Sequence, residues 1–359
     1  MDFCVNIVLY INIMSKNNKK KIILKSYLSP GDIMMLTSAV RDLHKVHSDK
    51  FEIDVDTSCH EIWENNPYIT KLDPKDEDVE VIDVEYPIIH NSNMGAYHFI
   101  HGYRKFLEDK LDVKIPQGHF KPDIHISDNE KSWISQLEEM GIKDRFWIIN
   151  AGGKFDFTAK WKNPDDLQKV IDHFKGKITF VQCGSSEHFH IPLKGTVNLV
   201  GKTDLRQMIR LMYHASGVLC GVTFFMHLAA GVESKHGLLT RPCVVYAGGR
   251  EPSQWEKYPS HQYLHTNGSL SCCDNGGCWK SRCTKIGDGD KKDNDDQLCI
   301  YPVDVNSKLV KKSKFAFDFK EAKCLNMITP ERIIDAIELY YNGDILSYES
   351  SFNSGLKVL

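Results

Sequence analysis

Short apolar runs alternate along most of this chain with stretches whose apolar residues recur at helical spacing. The first run, residues 21–28, is followed by turn chemistry at Ser29-Pro30-Gly31-Asp32 and then by helical periodicity up to Leu43. The predicted strands are residues 21–28, 51–55, 79–84, 146–150, 178–183, 217–220 and 242–246. The predicted helices are residues 30–43, 60–65, 98–111, 128–140, 164–174, 203–214, 225–232 and 330–341.

Strands that alternate with helices favour a parallel sheet covered by helices on both faces. The alternation begins twice, and 359 residues exceed what one hydrophobic core usually organises. We therefore predict an α/β protein with two doubly wound, Rossmann-like domains, residues 21–144 and 145–328. An N-terminal extension, residues 1–20, precedes them, and a C-terminal helix and tail, residues 329–359, follow. The cleft between the two domains is the expected ligand site.

Residues 219–232 form the stretch around which the chain is organised. An apolar strand ends there, Gly221-Val222-Thr223 makes a short turn, and an apolar helix follows. The first N–H groups of a helix lack partners within the helix and the helix dipole is positive there, so this order predicts an anion site. Thr223 could cap the helix or bind a phosphate, and His227 lies about one turn further on. The alternative is a buried strand–helix unit without a ligand.

Composition and charge narrow the possible functions. The chain is 42% hydrophobic and 26% charged, as is usual for a globular protein. A formal net charge of −3 argues against nucleic acid binding. No segment predicts stable membrane insertion. The apolar run at residues 3–13 lacks the preceding charge of a signal peptide, so we interpret it as an extension upstream of a second candidate start, Met14. A peripheral membrane anchor is the alternative.

Several motifs with well-defined chemistry are absent from the sequence. Neither GxGxxG after the first strand nor GxxxxGK[ST] occurs, which argues against a nicotinamide-linked dehydrogenase and a P-loop enzyme. GxSxG and HExxH are also missing.

Cysteines concentrate in an irregular, Gly- and Asp-rich part of the chain, residues 269–324. A loop this long needs something to hold it, and clustered thiolates suit tetrahedral zinc or iron. Their spacing is not a regular CxxC…CxxC, so free thiols in a reducing cytosol are the alternative, and disulfides are less expected. The acidic residues between Asp288 and Asp296 predict a solvated, flexible loop. The clustered cysteines are Cys272, Cys273, Cys278, Cys283, Cys299 and Cys324.

Four sequence segments in order resemble those of glycosyltransferase family 9, the ADP-heptose heptosyltransferases. Gly31-Asp32 after the first strand resembles the family's N-terminal helix start, and Asn65-Asn66-Pro67-Tyr68-Ile69 its Asn-Pro-aromatic-Ile segment. Asn150-Ala151-Gly152-Gly153 with Lys160-Trp161 resembles the start of the donor domain, and residues 221–230 the Val-Asp-Thr-Gly-x-x-His segment. The resemblance covers about residues 20–345. It implies a GT-B fold and inverting sugar transfer from an ADP-sugar, without a catalytic divalent metal.

The resemblance also implies roles for individual residues. Asp32 matches the general base, which the chemistry needs because the acceptor hydroxyl loses a proton as it attacks. The alternative for Asp32 is an ordinary acidic residue at a helix N-terminus, worth roughly 0.3–1 kcal/mol. Lys160 matches the lysine beside the donor diphosphate, where a cation stabilises the leaving ADP; its alternative is a solvated surface lysine. The implied substrate-binding residues are Gly31, Lys154, Lys160, Thr223, Phe224, His227 and Trp255. For His227 and Trp255, a core packing role is the alternative.

The chain departs from the family pattern at the central segment. Val222 replaces the family's Asp and Phe224 its Gly, which motivates a rival function: a non-catalytic sugar-nucleotide-binding or scaffold protein on the same fold.

The cysteine stretch resembles the iron finger of bacterial autotransporter heptosyltransferases, which modify proteins and assemble into rings. This resemblance implies structural iron or zinc on Cys273, Cys278, Cys299 and Cys324, with Cys272 and Cys283 as alternates. It also favours a protein acceptor over lipopolysaccharide or another glycan, and it allows a homo-oligomer. We expect a cytoplasmic protein of bacterial or phage-like origin.

Overall fold

The structure is a computed structural model that describes residues 19–313 and 319–348, except for the side chain of His90. The extension at residues 1–18 and the tail from residue 349 lie outside the described residues. The membrane-anchor interpretation and the frayed tail therefore stay predictions.

The N-terminal half is built on a three-stranded parallel sheet with strand order β2-β1-β3. Helix α1 follows β1 directly, with Pro30 in its first turn, and its residues from Ile33 to Leu43 are buried. These three strands and this helix were predicted. The strands are β1 (Lys20–Ser26), β2 (Phe51–Thr57) and β3 (Val79–Asp83), and the helices are α1 (Pro30–His47), α2 (Ile100–Leu111), α3 (Asp128–Ser132) and α4 (Gln136–Glu139).

The single helix predicted over residues 128–140 is wrong, because α3 and α4 are separate. Trp133 at the end of α3 is extended, and Ser135 starts a new helix as its N-cap. Glu138 completes a capping box with Ser135, so a local start signal inside the apolar periodicity divides the segment. Residues 60–65 form only a short 3₁₀ turn, His60–Trp63.

The C-terminal half is built on a six-stranded sheet with the order β8-β6-β4-β9-β10-β11, in which all neighbours are parallel. When the six strands of this sheet are numbered by their order along the chain, the spatial order is 3-2-1-4-5-6, which is the Rossmann order. The topological switch point therefore lies between β4 and β9. The sheet strands are β4 (Phe146–Asn150), β6 (Thr179–Gln182), β8 (Val197–Asn198), β9 (Gly217–Cys220), β10 (Cys243–Gly248) and β11 (His261–His265). Two antiparallel pairs accompany it: β5 (Gly152–Gly153) with β7 (Phe189–His190), and β12 (Pro302–Asp304) with β13 (Lys320–Ala322).

Helices cover this second sheet, and the last of them closes its core. The Tyr340 hydroxyl donates to Cys243 O at 3.0 Å and accepts from Gln262 N at 3.1 Å, which fastens this helix to β10 and β11. The helices are α5 (Pro164–His173), α6 (Leu205–His214), α7 (Phe224–Gly231), α8 (Ser253–Glu256), α9 (Lys308–Lys311), α10 (Lys323–Asn326) and α11 (Pro330–Asn342).

The two halves share a continuous hydrophobic core, which brings α1 against α7. Polar contacts join the same halves: Arg206 Nε lies 2.5 Å from Glu130 Oε1, and Phe99 N donates to Trp255 O at 2.8 Å. The predicted domain boundary at residues 144 and 145 falls between the two sheets. Among the described helices, none combines the length and the apolar character needed to cross a bilayer.

Candidate functional site

The strongest candidate site is the switch point of the C-terminal sheet, where β4 and β9 end side by side. Thr223 follows β9 as the N-cap residue of α7, as the sequence indicated. Its hydroxyl makes no capping hydrogen bond, and Oγ1 is buried without a hydrogen-bond partner among the described residues. The start of α7 therefore presents unpaired N–H groups and a spare hydroxyl together, which is the chemistry that a phosphate requires.

Lys160 lies beside this helix start. Its Nζ donates to Val222 O at 3.3 Å and lies 2.6 Å from Glu251 Oε1, and the side chain is 26% exposed. The solvated-lysine alternative does not fit these contacts, because Lys160 is held against the turn that precedes α7. Lys154, the weaker candidate, points to the other half of the molecule and donates to Ser29 Oγ at 2.9 Å.

Asp32 lies in the first turn of α1, opposite the two lysines. Its Oδ2 accepts the N–H of Ser29 at 3.1 Å, so the helix-capping role is real. Burial raises the pKa of the Asp32 carboxyl, while hydrogen bonds from Tyr86 and Ser29 and the charges of Lys160 and Lys154 oppose the rise. A carboxylate with a raised pKa near two cations is suited to accept a proton at neutral pH. The capping role and a catalytic role are therefore compatible.

His227 and Gly31 mark the point where α7 meets α1. A Cβ added to Gly31 would lie 3.2 Å from His227 Cδ2, so glycine permits this close approach. The buried ring of His227 contacts the Tyr258 hydroxyl through Nδ1 at 2.9 Å, and burial lowers its pKa to about 3. His227 is thus a neutral imidazole, which favours its packing role over binding of the diphosphate charge. Phe224, at the first position of α7, is partly exposed.

Trp255 is a core residue in this structure. It is 1% exposed and stacks on Phe99 with ring centroids 5.1 Å apart. This burial favours the packing interpretation over stacking on a nucleotide base.

Sequence reasoning missed two carboxylates that follow β10. Glu251 is 2% exposed and contacts both Lys160 and Arg250. Burial opposes its ionisation, but Arg250 and Lys160 outweigh burial and lower the pKa of Glu251. The carboxylate near Lys160 thus comes from Glu251, while position 222 holds an apolar side chain. The signal was available, since Arg250-Glu251 stands at the carboxyl end of a predicted strand.

Glu256 is the second of these carboxylates. It is 6% exposed and its Oε2 lies 3.5 Å from His227 Nε2. Burial, with the neighbouring charge of Glu251, raises the pKa of Glu256 to about 8, so this side chain is mostly protonated at neutral pH.

The cysteine stretch packs against the loop that follows β10. Burial raises the pKa of Cys324 to about 12, and the thiols of Cys278, Cys299 and Cys273 add to the rise, so the four predicted metal ligands are neighbours. Cys283, an alternate, packs in one cluster with Cys324 and Cys299. Soft thiolates in this number fit iron or zinc. Within residues 19–313 and 319–348, however, no three His, Cys, Asp or Glu side chains are arranged to hold a metal ion.

The same stretch is connected to the site through Arg250. The Arg250 Nε donates to Lys280 O at 2.6 Å, and its guanidinium lies 5.5 Å from the ring centroid of Trp279. The side chain of Asn93, in the N-terminal half, makes two hydrogen bonds with Gly277. Its Nδ2 donates to Gly277 O at 2.8 Å, and its Oδ1 accepts from Gly277 N at 2.9 Å. The cysteine stretch therefore contacts both halves of the molecule and also holds the arginine that pairs with Glu251.

The acidic loop is more ordered than the sequence suggested. Arg282 is fully buried and pairs with Asp288, at 2.7 Å, and with Asp293. The backbone N–H groups of Ile286 and Gly287 also donate to Asp293. Asp288 is solvent-exposed, as predicted, whereas the side chain of Asp293 is only 16% exposed, and both aspartates are held because the buried arginine needs counter-charges.

Comparison with known proteins agrees with this geometry. Residues 86–236 match the sequence profile of glycosyltransferase family 9 (heptosyltransferase). No curated protein matches the chain. The E. coli ADP-heptose lipopolysaccharide heptosyltransferase II is similar in structure, with a TM-score of 0.55 at 14% identity over 91% of this chain and 100% of that chain.

A second similar structure is the dodecameric iron-containing heptosyltransferase TibC in complex with ADP-D-beta-D-heptose. Its TM-score is 0.58 at 14% identity, over 91% of this chain and 77% of that chain. Another structure of TibC, from enterotoxigenic E. coli H10407, gives a TM-score of 0.56 at 15% identity. The similarity covers 90% of this chain and 77% of that chain.

Two parallel sheets, one in each half of the molecule, and the likeness to heptosyltransferase II show the GT-B fold. This likeness confirms the predicted fold class, and the profile match supports the resemblance to glycosyltransferase family 9 over residues 86–236.

Proposed function

We propose that this protein transfers a heptose, or a related sugar, from an ADP-sugar to an acceptor hydroxyl with inversion at the anomeric carbon. One observation carries the proposal: the start of α1, which bears Asp32, packs against the start of α7, since a Cβ on Gly31 would lie 3.9 Å from Phe224 Cα. The Lys160 ammonium also touches the turn that starts α7. A base and an anion site on opposite sides of one cleft are what an in-line displacement needs.

In this account the ADP diphosphate binds at the start of α7. The unpaired N–H groups, Thr223 Oγ1 and Lys160 would neutralise the charge that develops on the departing ADP. Glu251 and Arg250 keep Lys160 in position from the opposite side. The chemistry uses no metal in this proposal.

Asp32 acts on the acceptor side. Its carboxylate would take the proton of the acceptor hydroxyl as the oxygen attacks the anomeric carbon and the bond to the diphosphate breaks. The raised pKa of Asp32 brings the carboxylate closer to neutral pH, which favours proton transfer. The Tyr86 hydroxyl and the Ser29 N–H orient the same carboxylate.

We further propose that Cys273, Cys278, Cys299 and Cys324 hold a structural iron or zinc ion, with Cys283 as the first alternate. The proximity of the four thiols supports this. The ion would fix the stretch that contacts Arg250 and Asn93 and would take no part in the sugar chemistry. A homo-oligomer is a part of this proposal that rests on the likeness to TibC, which is described as dodecameric. A protein acceptor rests on the resemblance of the cysteine stretch given in the sequence analysis.

The test is transfer of radiolabelled heptose from ADP-heptose into protein or glycan of a bacterial lysate. Wild-type protein should label an acceptor, and Asp32→Asn should lose at least about 100-fold in rate, within the range expected for loss of a general base. Asp56→Asn, a change of an exposed aspartate that contacts Tyr27, is the matched control. Equal labelling by Asp32→Asn and wild type would remove Asp32 from the mechanism. Tight ADP-heptose binding without labelling would favour the non-catalytic alternative.

A further inference from the structure

Two buried carboxylates next to the proposed donor site have more hydrogen-bonding capacity than the protein uses. Glu251 and Glu256 are 2% and 6% exposed, and Oε2 of each has no hydrogen-bond partner among the described residues. Buried carboxylate oxygens are ordinarily satisfied, because removing them from water without a replacement partner costs free energy. Two such oxygens in one place point to donors that come from a ligand.

Their position decides which part of a ligand they would meet. Glu251 touches Lys160, which marks the diphosphate side of the cleft. The charges of Asp32 and Glu251 both raise the pKa of Glu256, so Glu256 lies within electrostatic range of the proposed base and of the diphosphate side. The sugar connects these two sides, since its anomeric carbon is bonded to the diphosphate and attacked from the base side.

We propose that Glu251 and Glu256 accept hydrogen bonds from hydroxyl groups of the transferred sugar and thereby select the glycosyl part of the donor. This inference rests on the proposed function and assigns it a specificity element. The ligand class is a pyranose with neighbouring free hydroxyls, carried on ADP. Each hydroxyl is both a donor and an acceptor, so an ionised and a protonated carboxyl side by side suit it well.

The protonation states of the two groups agree with this role. Arg250 and Lys160 hold Glu251 ionised, whereas burial and Glu251 keep Glu256 largely protonated at neutral pH. Glu256 can therefore donate to one sugar oxygen and accept from another. His227 Nε2 lies 3.5 Å from the same Oε2, beyond the usual length of a hydrogen bond.

The experiment is calorimetric titration of the full chain with ADP and, separately, with ADP-heptose. Glu256→Met removes both hydrogen-bonding atoms at similar side-chain length, and Glu256→Gln imitates the protonated acid. ADP-heptose affinity should fall about tenfold or more in Glu256→Met, as expected for one or two hydrogen bonds. ADP affinity should stay within about threefold of wild type, and Glu256→Gln should be intermediate. Glu331→Gln, at the first turn of α11, is the matched control.

The outcomes separate this inference from the function on which it rests. Equal weakening of ADP and ADP-heptose would make Glu256 a residue that only supports the cleft, and unchanged affinity for both would remove it from the site. Either result overturns the inference. If wild type binds ADP-heptose in the same experiment, the proposed donor is still supported. Failure of wild type to bind ADP-heptose would overturn both. If Glu256→Met does not fold, Glu256→Asp is the substitute variant, because it withdraws the carboxyl by one methylene. This variant should weaken the binding of ADP-heptose but not the binding of ADP.

Discussion

Gly31 and His227 meet where the two halves of the protein touch, and a Cβ on residue 31 would lie 3.2 Å from Cδ2 of the His227 ring. This spacing is tight but not prohibitive for one methyl group. Asp32 is the next residue along α1.

Substitutions at Gly31 should therefore have graded effects. Gly31→Ala should be tolerated with a small shift of the imidazole, while Gly31→Val should destabilise the protein by about 1–3 kcal/mol, the usual range for overpacking. Denaturant unfolding of both variants checks this. Equal stability of Gly31→Val and wild type would show that α1 and α7 are not held at this distance.

Lys160 should matter for the nucleotide part of the donor. Lys160→Ala removes a charge-assisted contact to the diphosphate and should weaken ADP binding by about 10- to 100-fold, whereas Glu251 keeps Arg250 as its partner. Calorimetric titration with ADP measures this. The matched control is Lys169→Ala, since Lys169 pairs with Asp166 and is 64% exposed. Equal losses in the two variants would contradict a specific role for Lys160.

The ion pair between Glu130 and Arg206 joins the two halves and should make the stability of the protein depend on pH in the acidic range. Burial works to raise the pKa of Glu130, but hydrogen bonds from Arg206 and Ser127 outweigh it and hold the pKa at about 2, below the ordinary 4.5. A depressed pKa means that the stabilisation is complete above about pH 4.5 and is lost as the pH falls towards 2.

Glu130→Gln should accordingly reduce the free energy of unfolding by about 1–3 kcal/mol at pH 7, as for a charged hydrogen bond. The difference from wild type should shrink by pH 3. Urea unfolding of both proteins at the two pH values is the measurement. A difference that is independent of pH would mean that the carboxylate charge is not the source of the stabilisation.

The strand–helix pattern predicted the three strands of the first sheet and four of the six strands of the second, because buried parallel strands are short apolar runs in the sequence. The edge strands β8 and β11 were not predicted. The long-range order of these strands, which locates the switch point, could not be read from local patterns. Glu251 and Glu256 were missed although Glu251 follows a predicted strand, because that position alone does not show which distant residues they meet. Their importance comes from Lys160 and Asp32, which are distant in sequence and are brought together by the packing of α1 against α7.

The cysteine stretch shows the other limit of sequence reasoning. Clustering in the sequence predicted a metal site, but within residues 19–313 and 319–348 no three His, Cys, Asp or Glu side chains are arranged to hold a metal ion. The sequence could not reveal that Arg250 binds Lys280 O, a contact that connects the stretch to the proposed donor site. Likewise, the acidic loop was interpreted without its partner, because nothing in the local pattern shows that Arg282 is buried.

The proposed metal should be lost when one of its ligands is replaced. Cys324→Ser should reduce the iron or zinc content of purified protein from about one ion per chain to near zero, and should lower the melting temperature. Cys183→Ser is the control, because Cys183 is buried elsewhere, beside β6. Metal content by elemental analysis decides the question. Full metal content in Cys324→Ser would exclude this cysteine as a ligand, and no metal in wild type would leave the thiols free.

The most direct test of the central claim is a crystal structure of the protein with ADP-heptose. The account predicts the diphosphate at the start of α7, within hydrogen-bonding distance of Thr223 Oγ1 and Lys160 Nζ, and the sugar directed towards Asp32. A nucleotide bound away from the β4–β9 switch point, or a sugar that points out of the cleft, would contradict it.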